Sequence, residues 1–393
     1  MTLSFWQRRD RAPAFECDVA VVGSGLVGAS TAFWLRRRRP AWDVALLDAG
    51  LPAAGASGRN AGFLLQGASG CYQADRATHG AERARRLLHF TCKNRDLIAA
   101  ELDGAAFDLR PTGSLTVAGG MEEDRRLRQS AEQLRADGVT AGYLAPTALN
   151  ERIGGRGFRG GLRVKSGAVL DPCRLVRHVA ARSKATVLEH HAVERIVPPG
   201  DDRHTALLET PVRPVRARRV ALAVNAHLPK LYPALSRFVR PVRAQMLATA
   251  PLPRWLTAPV YSHEGFFYLR QNAGGRVLLG GARHLHRAKE VGYATDPTEA
   301  LQADLEAYLA EYFPHASGAP VTERWAGTMG FSPDGVPCIG AVPRLPGSYW
   351  AAGLTGHGMA YGFHLGRCLA ARLTGDAPPA GDLFSTDRFD DTS

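Results

Sequence analysis

Residues 15–35 read FECDVAVVGSGLVGASTAFWL, and three glycines in that run, Gly23, Gly25 and Gly28, stand at G-x-G-x-x-G spacing. DVAVV (18–22) is continuous and β-branched, as a strand buried on both faces requires. The glycines then make a turn into a helix that runs to about Arg38. Arg36 to Arg39 sit at its C-terminal end, where cations suit the helix dipole, and Pro40 stops it. WDVALLD (42–48) predicts a second buried strand that ends on Asp48, twenty residues after Gly28. Each piece has a chemical reason. Gly23 permits a tight turn, Gly25 lets backbone approach a pyrophosphate, and Gly28 lets the helix pack closely on the strand. The N–H groups at Leu26 and Val27 offer positive potential to an anion. Asp48, followed by Ala49, can accept hydrogen bonds from ribose hydroxyls. Strand, glycine turn, helix, second strand and terminal acid together predict a dinucleotide site.

The rival reading of the same run is a signal peptide, since Arg8, Arg9 and Arg11 precede it. Asp18 interrupts the apolar stretch, RRRR at 36–39 ends it, and no small-x-small cleavage site follows, so export is the weaker expectation. The whole chain of 393 residues is long enough for two or three folding units, at about 150 residues each. Its composition, 45% apolar and 22% charged, is that of an ordinary globular enzyme, and no run of eighteen apolar residues predicts a membrane span. The net charge of +12 raises nucleic acid as a partner. Only five of the basic residues are lysines, and the arginines are scattered without interleaved aromatics, so no nucleic-acid groove is expected. Six cysteines at long, irregular gaps form no C-x-x-C. They predict neither a disulfide framework nor a metal site, and fit a reducing cytoplasm.

Downstream, residues 82–102 and 122–138 carry helical periodicity, the second ended by Gly138. LRPTGSLTVA (109–118) reads as a strand pair turning at Pro111–Gly113. Residues 161–183 give strands, then a helix entered at Asp171–Pro172. ATVLEHHAVERIV (185–197) and the start of 218–231 read as strands. Residues 240–285 alternate, with a hairpin closed at Ala273–Gly275. Residues 297–313 are helical and the last dozen read as a polar tail. His190–His191 and His284–His286 lack a third ligand at useful spacing, so they are expected at surface strand positions and no metal is expected.

After the second strand the chain enters a Gly/Ala/Ser loop, GLPAAGASGRNAGFLLQGAS (50–69), instead of further βα units. Small residues there let backbone lie against a flat ligand. Here the sequence resembles the FAD-dependent D-amino-acid-oxidase-like (DAO) superfamily, which includes glycine, sarcosine and γ-glutamylputrescine oxidases; ASGRNAGF (56–63) resembles the last most. The resemblance implies an α/β fold: a GR2-type Rossmann-like FAD domain and a second α+β substrate domain on a mostly antiparallel sheet. It implies non-covalent FAD held by Ser57, Gly58, Arg59, Asn60, Ala61 and Gly62. TVLEHHAV (186–193) would set Ala192 and Val193 against adenine, and VALAVNAH (220–227) would set Ala223, Asn225 and Ala226 beside the pyrophosphate. RWAGTMGFSPDGVPCIG (324–340) and GLTGHGMAYGFHLGRCLAARLTG (353–375) resemble the family's flavin segment. In the latter, Gly353, Thr355, Gly356, His357, Gly358 and Met359 precede or open a helix whose dipole would stabilise reduced flavin.

The resemblance further implies hydride transfer from the carbon of a C–N bond to flavin N5, giving an imine that hydrolyses. The substrate is a small-molecule amine or amino acid. Tyr268 falls at the family's substrate tyrosine. The family's carboxylate-binding arginine falls near Met329, so either Arg270 or Arg59 substitutes, or the substrate is not a simple α-amino acid; Arg270, on the same strand face as Tyr268, is the first choice. His357 is expected beside the flavin, with His263, Glu264 and Tyr361 as weaker pocket residues. The cysteine that tethers flavin in sarcosine oxidases falls near Gly327 and their oxygen-activating lysine near Leu278. The electron acceptor is therefore oxygen or, as an alternative, a quinone or carrier. Two further alternatives are a flavoenzyme trimming an aminoalkyl group on tRNA and a flavin-binding subunit of a larger complex. The expected partition is an FAD domain from 1–82, 150–235 and 320–393, with a substrate domain from 83–149 and 236–319.

Overall fold

The computed structural model describes residues 13–67, 70–200 and 205–389. The arginines at positions 8, 9 and 11, on which the export reading rests, lie outside these residues. Two eight-stranded sheets organise the molecule.

In chain order, β1 (Phe15–Val22), α1 (Leu26–Arg38) and β2 (Val44–Leu47) form the first βαβ unit. β3 (Phe63–Leu64), α2 (Tyr72–His79), α3 (Ala81–Glu101), β4 (Ser114–Val117), α4 (Met121–Ala136), β5 (Ala141–Leu144) and α5 (Pro146–Ile153) follow. Then come β6 (Gly161–Val164), β7 (Ala168–Val169), α6 (Pro172–Ser183), β8 (Thr186–Leu188), β9 (Arg195–Val197), β10 (Ala206–Glu209), β11 (Val215–Leu222) and α7 (Leu228–Leu231). The chain continues with β12 (Arg240–Thr249), β13 (Val260–Ser262), β14 (Phe267–Gln271), β15 (Val277–Gly281) and α8 (Glu299–Tyr312). It closes with β16 (Val321–Phe331), β17 (Cys338–Ala341), β18 (Tyr349–Ala352) and α9 (Gly358–Thr374).

The first sheet runs β17-β18-β11-β1-β2-β8, with β10 on β11 and β9 on β10. β1 is parallel to both neighbours, Val22 standing opposite Leu222 on one side and Leu47 on the other. Alternation sends Val19 and Val21 into the core under α1 and Ala20 and Val22 into the core on the opposite face. Both faces are covered, which is why the strand reads as an unbroken apolar run. On one face α1 packs against α9. A Cβ on Gly362 would lie 2.8 Å from Leu26, and one on Gly366 would lie 2.6 Å from that of Ser30. Ser30 Oγ donates to the Phe363 carbonyl at 2.6 Å in this contact. Two small residues thus bring the N-terminal and C-terminal motifs of the sequence together.

The second sheet runs β16-β12-β15-β14-β13-β4-β6-β5 and is antiparallel except for β13 beside β4. Its strands alternate. Phe267 and Leu269 of β14 face α8, whose Leu301, Leu305 and Tyr308 complete that core. Tyr268 points to the other face, toward Phe63 and Val169 of the small β3–β7 pair. That face roofs the first sheet.

Several expectations are corrected by these contacts. Residues 109–118 are not a strand pair. Arg110 bridges Val169, residues 111–113 are irregular, and only Ser114–Val117 is a strand, because the segment changes sheets there. Residues 185–197 are two short strands in different pairings, with β8 parallel to β2 and β9 antiparallel to β10. The segment between them turns through His190 at φ 58. Helix α2 was not anticipated. The polar tail is docked as far as Phe389: Leu383 and Phe384 are buried, and Arg388 donates to Asp334 and to the Val336 and Pro337 carbonyls. The histidine pairs do not occupy surface strands. His191 is buried in a turn, His284 stacks on Phe266 in a short 3-10 turn, and His286 bonds Asp304 at 2.6 Å. Among the described residues no group of three or more His, Cys, Asp or Glu is placed to hold a metal ion, and no helix is long and apolar enough to cross a membrane.

Candidate active site

A cleft of about 550 Å³ lies at the C-terminal ends of β1, β2 and β11, and it opens into a chamber of about 420 Å³ under the second sheet. The cleft begins at the glycine turn. Gly23 has φ +99, a conformation that side chains avoid, and a Cβ there would lie 2.7 Å from the Ala223 carbonyl. Gly25, Leu26 and Val27 line the cleft. Gly28 does not. A Cβ on it would lie 1.7 Å from the Gly23 carbonyl, so it permits the helix to close on its own turn.

Asp48 and Ala49 line the cleft from the end of β2. Asp48 Oδ2 accepts from the Ser24 backbone N–H and hydroxyl, both at 2.7 Å, and Oδ1 accepts from Gly50 N–H at 2.9 Å. The carboxylate therefore braces the glycine turn and has lone pairs left for a ribose. Ser24 was not singled out by the motif. Ser57 Oγ accepts the Leu26 N–H at 2.9 Å, joining the loop to the helix start.

That loop is tied to itself and to the second sheet. Asn60 donates to Ser57 and Ala56 carbonyls and accepts from Gly62 N–H at 2.8 Å. Arg59 donates to Ala54 and, across the cleft, to Ala326 at 2.8 Å, while the Trp325 indole donates to the Arg59 carbonyl. Gly58 and Gly62 face protein: a Cβ on either would lie 2.2 Å from a carbonyl, of Ala53 and Leu170 respectively. Ala61 lines the chamber instead.

At the far end of the cleft are Ala192 and Val193, with His191 beside them. His191 Nδ1 engages the Glu189 carbonyl at 2.7 Å, and its Nε2 is buried with no partner. Ala223, Asn225 and Ala226 form the opposite lip. Asn225 Oδ1 accepts from Gly353 N–H at 3.0 Å, which links that lip to the C-terminal motif. Tyr293, from the loop before α8, laps over this end; its hydroxyl donates to the Ala226 carbonyl at 3.0 Å and its ring stacks on His227. Neither His191 nor Tyr293 was expected here. His191 had been read as one of a surface pair, and nothing local marks Tyr293.

The start of α9 closes the middle. Gly356, Gly358 and Met359 line the cleft, and Thr355 and His357 line the chamber. Gly353 packs on Ser332, and Thr355 Oγ accepts from Ser332 N–H at 3.2 Å. His357 Nδ1 lies 3.1 Å from the Thr355 carbonyl.

In the chamber Tyr268 and Tyr261 stand over Phe63 at ring separations of 6.4 and 5.3 Å. Burial pushes the Tyr268 phenol up to about 12, against the pull of Arg283, and raises Tyr261 as well. Met329 sits at the junction with the cleft. Arg270 shares the sheet face of Tyr268 but is not in the chamber. It lies in a neighbouring crevice with its Nε unpartnered, and burial lowers its guanidinium to about 10. The arginine that does line the chamber is Arg283, just past β15; burial first and then Arg287 lower its pKa. It was legible only as the last residue of a hairpin. Glu264 also reaches the chamber, whereas Tyr361 is buried in the core and His263 lies outside it, bonded to Ser262.

The glycine cradle, two helix starts, a carboxylate at the ribose position and an unpartnered imidazole nitrogen suit an elongated dinucleotide such as FAD. The family model described as FAD dependent oxidoreductase (DAO) matches residues 18–372. The chain belongs to this family, and its cofactor is FAD. Gamma-glutamylputrescine oxidoreductase of Escherichia coli is 28% identical over 92% of this chain and 84% of its own length. Glycine oxidase from Geobacillus kaustophilus superposes with a TM-score of 0.79 at 22% identity, covering 93% of this chain and 96% of its own. L-proline dehydrogenase from P. horikoshii also reaches 0.79, at 20% identity, covering 97% and 99%. The last two share the fold.

Proposed function

We propose that this oxidoreductase oxidises the C–N bond of an amine or amino acid, and that the resulting imine is hydrolysed. The observation that carries this reading is the chamber, where Tyr268, Arg283 and His357 converge beside the nucleotide cleft. Bound FAD supplies the two-electron oxidation. The residues of the chain orient and desolvate the substrate. Ala61, Phe63, Tyr261 and Met359 wall the chamber with apolar surface, which favours a neutral amine over an ammonium. His79, lowered by burial and by Arg83, is a neutral imidazole on the chamber wall and can take the proton shed by the ammonium. Tyr268 stays a neutral phenol that can donate one hydrogen bond, and Arg283 replaces Arg270 as the group that meets an anionic substituent.

Gly327 offers no sulfur, which supports non-covalent FAD. Leu278 is packed in the apolar cluster around Tyr268, and among the described residues no lysine lines the chamber. This supports slow reaction with oxygen and a quinone or carrier as acceptor. Six free thiols accord with a reducing compartment such as the cytoplasm. The two-unit partition remains our proposal, with β6 and β16 moved to the substrate unit because they pair in its sheet. Anaerobic addition of amines and amino acids to the yellow holoenzyme tests the reaction. Loss of the flavin colour with an amine is expected; retention of colour with every amine would reject it.

A further inference from the structure

Beyond Arg283 the chamber meets another cavity, of about 400 Å³. Arg240, Arg283, Arg287 and Glu290 line it, and Arg283 and Phe331 belong to both walls. The Arg283 guanidinium lies 5.1 Å from the Phe331 ring centre, and that of Arg287 lies 5.5 Å from the ring centre of Phe266, another chamber residue. Among the described residues none of the three arginines has a carboxylate within ion-pair distance, whereas Arg83, Arg126, Arg195 and Arg388 each pair with an acid. Glu290 offsets them only in part: it holds the Arg283 pKa up while Arg287 and Arg240 push it down. It is 1% exposed, its Oε1 accepts from Gln245 at 2.7 Å, and the buried Arg243 at 3.4 Å balances its charge. Three like charges therefore face one cavity. Repulsion among them contributes to the lowered pKa of Arg283, after burial. Such an arrangement is stabilised by an anion that arrives from outside.

The path to this cavity is apolar. Met329 and Phe331 are two apart on β16 and share a face, so they form a floor suited to methylene groups. Glu290 Oε2 is buried and has no partner, which disfavours a dianion such as a phosphate ester. We propose that this cavity holds a carboxylate at the far end of the substrate, so that the enzyme selects elongated amines whose anionic group is remote from the reacting C–N bond. The proposal rests on the amine-oxidation reading and specifies its substrate class.

The test compares acid with amide. Anaerobic reduction of the holoenzyme is titrated with ε-aminocaproate, its amide, and the aminoalkyl phosphate of the same length. Binding of adipate, which carries no amine, is measured by calorimetry. The acid should outrank its amide by about tenfold in apparent affinity, one charge-assisted contact's worth. In Arg240→Met/Arg287→Met, two exposed positions, that ratio should fall toward one and adipate binding should weaken about as much. Arg218→Met, distant and exposed, should keep both. Equal ranking of acid and amide, a phosphate preferred over the carboxylate, or an unchanged ratio in the double variant would each overturn the proposal. If no amine reduces the flavin, the oxidation reading fails, and adipate binding by itself still decides whether the arginines take a carboxylate.

Discussion

The nucleotide cleft and the substrate chamber share seven wall residues, among them Arg59, Gly327 and Met329, but they are built by opposite means. The cleft is made of backbone. Its turn glycine, Gly23, stands against the Ala223 carbonyl, and among the described residues its carboxylate, Asp48, is already held by Ser24 and Gly50. The chamber is made of side chains: two tyrosines project from a sheet whose other face is core, Arg283 follows its strand β15, and His79 and His357 come from α2 and the start of α9. Backbone sites tolerate almost no change, because a clash with a carbonyl cannot be relieved by a rotamer. Side-chain sites tolerate change in fold and register it in selectivity.

The sharpest way to break the comparison is Gly28→Val, behind the cleft, where the helix closes on the glycine turn. Its Cβ would enter the Gly23 carbonyl. We expect a colourless protein, destabilised by about 3 kcal/mol, read by visible absorbance and thermal unfolding; a yellow, stable variant would show that the cradle is softer than argued.

Next is the clamp at the chamber rim. Asp334 receives Arg83 and Arg388 from opposite sides, and Gly335 beside it lines the chamber. Burial raises the Asp334 carboxyl, but the bonds from Arg388, from Val336 N–H and from Arg83 outweigh it and hold the group below the ordinary 3.8. A depressed pKa contributes stability that is present above the unfolded value and is lost as pH falls through the folded one. Arg388→Met should cost about 2 kcal/mol, since the pair is partly solvated. It should also flatten the acid side of the stability curve below about pH 4. A melt series across pH that moves in parallel for both proteins would contradict this.

A smaller effect is expected at the cleft from Asp48→Ala. FAD affinity should weaken about tenfold, measured by fluorescence recovery on cofactor release, with the maximal rate of reduction unchanged. Smallest is Tyr268→Phe in the chamber. FAD content should stay the same while the anaerobic reduction rate falls about tenfold or less. Because the phenol lies near 12, no alkaline limb below about pH 11 should disappear with it. Loss of FAD in Tyr268→Phe would mean that the two regions are not separable.

The same contrast governs what could be read beforehand. The βαβ unit and the C-terminal helix opened by glycines were legible because each obeys a local rule of turn, cap or approach, whereas Ser57, expected to meet a phosphate or hydroxyl, accepts the Leu26 N–H. Arg270 was placed on its correct strand face by alternation, yet alternation says nothing of how far along the sheet the chamber extends, and Arg283 occupies it instead. His191 was expected at the surface because no third ligand stood at useful spacing; the turn at His190, with φ 58, instead buries it beside the cleft. Tyr293 reaches the cleft only because Arg243 ties the Ala294 and Asp296 carbonyls to the second sheet.

By itself the sequence determined the nucleotide cradle and the two kinds of sheet, since backbone sterics and the periodicity of burial act over a few residues. Only the tertiary structure decided which charged side chains meet over that cradle. Those contacts join residues far apart in the chain, and their geometry is set by how α9 docks on α1 and how β12 pairs with β16.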